Sequence, residues 1–157
     1  MKRQNPLKER FLTSLPLTLI ENVADKFRNN LSFNFQFFDN AQPAGQDFRD
    51  WNHEQLHKLL DKVKEYCKNP STYWLKLPVG GGKNHILEIY GKFPVRSEFL
   101  HPKFVPLDVD WARFRLEGDM RLIGFFVNKE ICTRLIASPN IFYVVFLDRE
   151  HKFYKQS

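Results

Sequence analysis

The sequence lacks an apolar run long enough to cross a membrane, and no apolar signal-peptide core follows its basic first residues. It has two cysteines, Cys67 and Cys132, whose number and spacing fit neither a disulfide framework nor a zinc site. It also lacks internal repeats and low-complexity tracts. We therefore expect a cytoplasmic protein with two reduced, buried thiols and no membrane partner.

The chain is instead rich in aromatic and basic residues. Its 157 residues are 43% hydrophobic and 15% aromatic, with 16 phenylalanines, which is enough apolar material for the core of one domain. The formal net charge of +6 favours a polyanionic partner. Because the basic excess is spread along the chain rather than concentrated in a tail, folding has to assemble any basic site.

Helical spacing and strand alternation can both be followed along the chain. We expect helices over 14–29 and 53–67, strands over 31–38, 73–77, 85–90 and 141–148, a hairpin over 113–126, an irregular connection over 91–110, and a short helix or loop over 128–140. The pattern predicts a single α+β domain in which N-terminal helices pack on a curved, mostly antiparallel β-sheet. Residues 1–30 would be a helical extension, and residues 31–157 the domain proper.

Two short motifs resemble those of enzymes. Residues 79–83, VGGGK, lack the frame and the Ser or Thr after the lysine that a P-loop needs, so we expect a turn or lid there. His53, Glu54 and His57 satisfy the H-E-x-x-H pattern of zinc hydrolases. Since the apolar stripe of this helix runs through its leucines, we interpret the two histidines as solvated, and a zinc hydrolase remains an alternative.

The strongest functional signal is the hairpin RFRLEGDMRLIGFF, which begins at Arg113. Alternation puts Arg113 and Arg115 on one face of the first strand, with apolar residues on the other. A two-residue loop, 118–119, would place Arg121 on the apolar face, whereas a three-residue loop, 118–120, would place all three arginines on one face. Burying an unpaired arginine is costly, which favours the longer loop or a pairing with a nearby acid.

The C-terminal segment REHKFYKQS places a second polar group directly after the expected strand 141–148. Its members of interest are Arg149, His151, Lys152, Tyr154 and Lys155. If that strand packs beside the hairpin, these residues reach the same sheet as the arginines. Arginines for phosphates, a histidine that titrates near neutral pH and a tyrosine for stacking form a set suited to RNA.

The hairpin also resembles a known family. Residues 113–116, Arg-Phe-Arg-Leu, then a short polar turn, then Arg-Leu-Ile at 121–123 are similar to the strand–turn–strand of the RelE/ParE-type toxin superfamily. In that family a later apolar strand is followed by a terminal segment with basic, His or Tyr residues, as after residue 148 here. The resemblance covers residues 31–157 in element order. The N-terminal helix and the long 91–110 connection are departures from the family pattern.

This resemblance implies a RelE-like toxin of a toxin–antitoxin system that cleaves mRNA, on or off the ribosome, without a metal or cofactor. In such an endoribonuclease the 2′-hydroxyl attacks the next phosphate and leaves a 2′,3′-cyclic phosphate and a 5′-hydroxyl. The implied catalytic residues are Arg115, Arg121, His151 and Tyr154. The implied RNA-binding residues are Arg113, Arg149, Lys152 and Lys155. A cognate antitoxin protein would be the second partner.

Within this scheme His151 or Glu117 would serve as the base, and Tyr154 or Lys152 would orient the base or assist as the acid. The same arginines would also suit an RNA- or ribosome-binding module without catalysis. A third reading is a protein-interaction domain whose basic strand is merely solvated, which would have negligible affinity for RNA at physiological salt.

Overall fold

The structure, a computed structural model, describes residues 6–14 and 23–155. Its elements, in chain order, are α1 (Pro6–Ser14), α2 (Ala24–Asn29), β1 (Ser32–Asn34), a 3₁₀ turn (Phe48–Asp50), α3 (His53–Tyr66), α4 (Ser71–Lys76), β2 (Leu87–Gly91), β3 (Asp110–Arg115), β4 (Arg121–Phe126), α5 (Lys129–Leu135) and β5 (Ile141–Asp148). Within these described ranges, no helix combines the length and the apolar character needed to cross a bilayer.

The five strands form one mixed sheet in the order β1-β5-β4-β3-β2. Strands β1 and β5 run parallel, and the other neighbours pair antiparallel. Strand β5 is an inner strand, and its apolar sequence fits that place because both faces of the sheet are covered. The predicted single α+β domain with a mostly antiparallel sheet is confirmed, as is the buried strand at 141–148.

Helices α3 and α4 cover one face of the sheet. The first turn of α3 is closed by reciprocal hydrogen bonds between Asn52 and Gln55, a capping box that fixes where the helix begins. At its other end the Tyr66 ring stacks on Phe114, with centroids 4.9 Å apart. The Tyr66 hydroxyl also donates a hydrogen bond to the backbone oxygen of Arg115. Helix α3 therefore holds the end of β3, the strand that carries two of the candidate arginines.

The other face of the sheet is covered by irregular chain rather than by helices. The connection 91–110 is irregular as predicted, and its Phe99 lies 4.4 Å from the ring of Phe146 on β5. Trp111 and Phe153, both 1% exposed, join the same aromatic cluster. The C-terminal segment is thus anchored on this face by Phe153, which brings its polar residues beside the sheet.

The predicted helix 14–29 is only partly described, because residues 15–22 lie outside the described residues. Its last part forms α2, and neither α1 nor α2 contains a buried residue. The Asn140 side chain donates to the backbone oxygen of Arg28 at 2.7 Å, which ties the end of α2 to the start of β5. The division of the chain at residue 30 stays a prediction.

Two element predictions were wrong. Residues 73–77 were expected as a strand, but α4 occupies this stretch, and its Trp74 is buried and donates its indole N–H to Tyr66 O at 2.9 Å. Tertiary burial of one tryptophan outweighs the strand propensity of the aromatic residues. The strand expected over 31–38 ends at Asn34, whose side chain accepts the Gln36 N–H and turns the chain.

Gly124 on β4 provides a test of the sheet packing. A Cβ at this position would lie 2.1 Å from Tyr143 O and 2.8 Å from the Phe142 ring, so the Gly124→Ala variant requires the backbone of β5 to move. We expect its free energy of unfolding to fall by about 2–3 kcal/mol in urea titration. Gly82→Ala is the matched control, because its nearest contact is an ordinary 3.5 Å. Equal stability of the two variants would contradict this packing.

Candidate functional site

The register of the β3–β4 hairpin puts the candidate arginines on one face of the sheet. Arg115 lies directly opposite Arg121, and Arg113 lies two residues before Arg115 on the same strand. Directly paired residues of antiparallel strands point to the same side, so the three side chains share a face. Of the two arrangements that the sequence left open, the structure has the one with all three arginines on one face.

The turn that produces this register differs from both loops considered from the sequence. The Leu116 N–H donates to Met120 O at 3.0 Å, so the three loop residues are 117–119. Gly118 has φ +56°, a left-handed conformation that glycine adopts without strain. The two predicted loops, 118–119 and 118–120, were therefore wrong. The observed loop has three residues, like the longer alternative, but Arg121 pairs with Arg115 instead of Glu117, a shift of two residues that keeps the shared face.

Arg113 is 5% exposed and is held by two polar side chains of β2. Its Nε donates to the Tyr90 hydroxyl at 2.7 Å, and its Nη2 lies 2.8 Å from a carboxylate oxygen of Glu88. Glu88 is the residue directly opposite Arg113 in the β2–β3 pairing. Burial raises the pKa of Tyr90 to about 12, so its hydroxyl keeps its proton at neutral pH.

Arg121 is 4% exposed, and its two hydrogen bonds go to backbone carbonyls of the turn. Its Nη1 donates to Gly118 O at 2.6 Å and to Met120 O at 2.8 Å. Burial, together with the neighbouring cations of Arg115 and Arg113, lowers the pKa of Arg121 to about 10. The guanidinium therefore lies in an environment with too little negative charge.

The arginine cluster, defined as Arg113, Arg115 and Arg121, has more donors than the protein supplies acceptors for. Buried N–H groups at Arg113 Nη1, Arg115 Nε and Arg121 Nε have no hydrogen-bond partner among the described residues. Each unsatisfied buried donor costs about 1–3 kcal/mol. An anion placed between these guanidinium groups would supply both the missing acceptors and the missing negative charge. Arg115 is the half-exposed member of the cluster, so an anion would reach the two buried arginines past its side chain.

The turn after β5 brings His151 to the same cluster. Asp148, fully buried and opposite Arg121 in the β4–β5 pairing, accepts the N–H groups of Lys152 at 2.9 Å and Phe153 at 2.8 Å. Burial raises the pKa of the Asp148 carboxyl. This turn holds His151 in the left-handed region, with φ +57°.

The arginine cluster influences the pKa of His151. Its pKa is lowered first by partial burial and then by the cations of Arg121 and Arg113. The carboxylates of Asp148 and Asp119 oppose this effect but do not cancel it. At neutral pH the imidazole is therefore unprotonated, which is the form that accepts a proton.

Tyr154 joins the cluster through a residue that the sequence analysis did not select. Its ring stacks on Tyr90 with centroids 4.7 Å apart and an angle of 3° between the ring planes. The Tyr90 hydroxyl in turn accepts the hydrogen bond from Arg113. The sequence analysis missed Tyr90 because the run HILEIY, residues 85–90, indicates only a strand. It does not show the bulge after Ile89 that shifts the pairing with β3 at Tyr90.

The remaining predicted RNA-binding residues are paired elsewhere. Arg149 donates to Asp50 O at 3.0 Å, while Lys152 pairs with Glu150 and Lys155 with Glu98. The two lysine pairs are partly exposed, so water and salt weaken them.

Glu117, the other base considered from the sequence, is also paired. It lies in the hairpin turn and forms an ion pair with Lys58 of α3 at 2.9 Å. This carboxylate therefore faces the helix-covered side of the sheet, whereas His151 is the base candidate whose pKa the arginines lower.

The H-E-x-x-H motif lies on the exposed side of α3, as expected of solvated residues. His53 and His57 are exposed, Glu54 pairs with Lys58 at 2.9 Å, and His57 pairs with Asp61 at 3.2 Å. Among the residues that the structure describes, no three His, Cys, Asp or Glu side chains are grouped so that they could hold a metal ion.

Both cysteines are free thiols, and burial raises the pKa of each. Cys132 is buried as expected, whereas Cys67 at the end of α3 is only half-buried. A raised pKa keeps both thiols protonated and disfavours a nucleophilic role.

These positions define what the site can do chemically. The arginine cluster can bind a phosphate, an unprotonated imidazole can accept a proton beside it, and the Tyr90 hydroxyl can donate one. This combination is suited to binding or transferring a phosphoryl ester.

If the cluster binds anions, sulfate should stabilise the folded protein. At ten times its dissociation constant, sulfate would raise the free energy of unfolding by about 1.4 kcal/mol, or about 3–6 °C in melting temperature. We expect Arg121→Met to lose this shift and Arg134→Met, an exposed arginine of α5, to keep it. Scanning calorimetry against chloride at matched ionic strength measures the difference. An equal sulfate response in both variants would exclude the cluster as the binding site.

The influence of the arginines on the pKa of His151 predicts a change in its titration. Replacing Arg121 with Met removes a cation that lowers the pKa of His151, so this pKa should rise. Titration of the imidazole signals by NMR measures the change, and His57, exposed on α3, serves as the internal reference. If the pKa of His151 does not move, the imidazole lies outside the field of the cluster.

Comparison of the chain with models of known protein families, with curated proteins and with solved structures finds no match. The similarity to the RelE/ParE-type superfamily therefore rests on the hairpin, the order of elements and the terminal segment. What the site does is argued from the arginine cluster and the groups around it.

Proposed function

We propose that the protein is a metal-independent endoribonuclease of RelE-like type that cleaves mRNA, on or off the ribosome, at the arginine cluster. The observation that carries this proposal is the surplus of buried guanidinium donors at Arg113, Arg115 and Arg121. An RNA phosphodiester supplies the acceptors and the charge that this surplus requires. The net charge of +6 adds long-range attraction for such a polyanion.

The chemistry assigns one role to each group. The His151 imidazole takes the proton of a ribose 2′-hydroxyl, whose oxygen then attacks the adjacent phosphorus. Arg115 and Arg121 stabilise the additional negative charge of the pentacoordinate intermediate. The bond to the 5′-oxygen breaks, and this oxygen takes a proton from the Tyr90 hydroxyl. The products are a 2′,3′-cyclic phosphate and a 5′-hydroxyl, and no water is consumed.

Several features support His151 as the base and Tyr90 as the acid. The lowered pKa of His151 keeps the imidazole unprotonated at neutral pH, and the pKa of Tyr90, about 12, keeps its hydroxyl protonated. Tyr154, proposed as catalytic from the sequence, is instead stacked on Tyr90. In the proposed site it supports the acid rather than transferring the proton.

The wider proposal follows the resemblance to the toxin superfamily. The protein would act in the cytoplasm, and a small cognate antitoxin protein would bind it and block access to the cluster. Growth arrest on induced expression in bacteria, relieved by His151→Ala, is the outcome that a nuclease toxin requires.

Removal of Arg121 should slow cleavage strongly without unfolding the protein. One well-placed cationic donor contributes about 3–4 kcal/mol to the transition state, so Arg121→Ala should slow cleavage by about 10²–10³-fold. A labelled single-stranded RNA incubated with EDTA measures the rate, and a 2′,3′-cyclic phosphate end identifies the chemistry. Arg134→Ala is the matched control, since this arginine is exposed on α5. Equal rates in Arg121→Ala and the unmodified protein, both folded by circular dichroism, would refute the assignment.

Binding without cleavage is the second candidate, because the surplus of donors requires only an anion and no acid–base pair. In that case the RNA stays intact, while its affinity falls steeply with salt in the unmodified protein and less steeply in Arg121→Ala. The cleavage assay and the salt dependence together separate the two candidates.

A further inference from the structure

A cavity of about 620 Å³ lies at the end of the β3–β4 hairpin that is remote from its turn. Its walls include residues of α4, of strands β2, β3 and β4, and of the start of α5. Asp110 of β3 lies directly opposite Phe126 of β4, so both side chains point to the same face of the sheet. Phe126 belongs to the core beneath the helices. The cavity therefore lies on the opposite face from the arginine cluster and is independent of the proposed function.

The apolar wall of this cavity is only partly covered by the fold. It is formed by Leu75 of α4, Ile89 of β2 and Phe126. Phe126 is 5% exposed, whereas Ile89 is 44% exposed although it lies within a strand. Ile89 pairs with Ala112, a buried residue of the core beneath the helices, so its side chain points to the same face as Phe126. An apolar ligand that covered Ile89 would remove this surface from water.

Two side chains of opposite charge also line the cavity. The Asp110 carboxylate is half-buried, and the Lys129 ammonium, three residues after Phe126, is exposed. Neither forms an ion pair with the other or with any further residue that the structure describes. A half-buried carboxylate has lost part of its hydration, and here no cation compensates for that loss. The cavity thus offers one place for a cation and one for an anion.

The size of the cavity limits the size of its ligand. A cavity of about 150 Å³ holds benzene, and small-molecule sites commonly have about 300–1,000 Å³. At about 620 Å³, the cavity has room for a molecule larger than one free amino acid. Ser71 and Thr72 of α4 also line it, and their hydroxyls can donate to or accept from a peptide group.

We propose that this cavity is a binding site for a short zwitterionic peptide of dipeptide size with apolar side chains. The peptide ammonium binds the Asp110 carboxylate, and the peptide carboxylate binds the Lys129 ammonium. The apolar side chains cover Ile89 and Leu75 between the two charges. A zwitterion satisfies both charges of the cavity without adding net charge, whereas a peptide blocked at one end leaves one of them unpaired.

The test uses four peptides that differ in one feature at a time. Leu-Leu carries both charges, N-acetyl-Leu-Leu lacks the ammonium, and Leu-Leu amide lacks the carboxylate. Gly-Gly carries both charges without the apolar side chains. Isothermal titration calorimetry measures the affinity of the unmodified full-length protein for each peptide at neutral pH.

We expect the unmodified protein to bind Leu-Leu most tightly. Loss of the ammonium should weaken binding by about 10-fold, because Asp110 is half-buried and its partner is charged. Loss of the carboxylate should weaken binding by up to about 5-fold, because Lys129 is exposed. Gly-Gly should bind more weakly than Leu-Leu, because it leaves Ile89 in water.

Two variants connect each loss to its residue. In Asp110→Asn the affinity for Leu-Leu should fall by about 10-fold, while that for N-acetyl-Leu-Leu stays the same. In Lys129→Met the affinity for Leu-Leu should fall by up to about 5-fold, while that for Leu-Leu amide stays the same. Asp108→Asn and Lys103→Met are the matched controls, because both residues are exposed on the 91–110 connection and neither lines the cavity. Both controls should bind Leu-Leu as the unmodified protein does.

Three results would overturn the proposal. The first is that the unmodified protein does not bind Leu-Leu at about 10 mM, ten times a millimolar dissociation constant. The second is equal affinity for Leu-Leu and its two blocked forms, which would show that the charges are not recognised. The third is that Asp110→Asn, folded by circular dichroism, weakens Leu-Leu and N-acetyl-Leu-Leu to the same extent, because its effect would then be structural.

Discussion

The pairing of Arg115 with Arg121 across the hairpin is the constraint on which the candidate site depends. It places like charges face to face on a sheet surface that an aromatic cluster and the C-terminal segment cover. Two of the three arginines are nearly inaccessible to solvent, so water does little to screen their repulsion. Burial first, and then the cations of Arg115 and Arg113, lower the pKa of Arg121 to about 10.

The fold tolerates this arrangement because other interactions hold the hairpin rigid. Helix α3 anchors the end of β3 through Tyr66, and Lys58 of the same helix binds Glu117 in the turn. The turn carbonyls at Gly118 and Met120 then bind the Arg121 side chain. The backbone therefore fixes the positions of the cations, as the proposed electrostatic site would require.

The second half of the site depends on how the chain ends. Phe153 inserts into the aromatic cluster. The buried Asp148 carboxylate accepts the Phe153 N–H and so closes the turn that joins β5 to Phe153. His151 lies within that turn, and Tyr154 follows Phe153 directly. One buried ring and one buried carboxylate thus fix the backbone on either side of His151 and just before Tyr154.

The predictable part of the site was its composition. Alternation along residues 113–116 placed Arg113 and Arg115 on one face, and an apolar run before Arg149 predicted a strand that delivers the C-terminal segment. Both inferences are local, because side-chain direction in a strand has a period of two residues. The pairing register is not local. The turn at 117–119 differed from both loops that we considered from the sequence.

What the sequence determined by itself was the α+β class, the inner strand 141–148, helix α3 and the basic face of the hairpin, all of which follow from short-range periodicity. The tertiary structure decided that Tyr90 binds Arg113, that Tyr154 stacks on Tyr90 and that Arg149, Lys152 and Lys155 pair elsewhere. It also converted residues 73–77 from an expected strand into a helix that buries Trp74. The physical reason is that contacts between distant segments depend on register, bulges and competing partners, none of which has a sequence period.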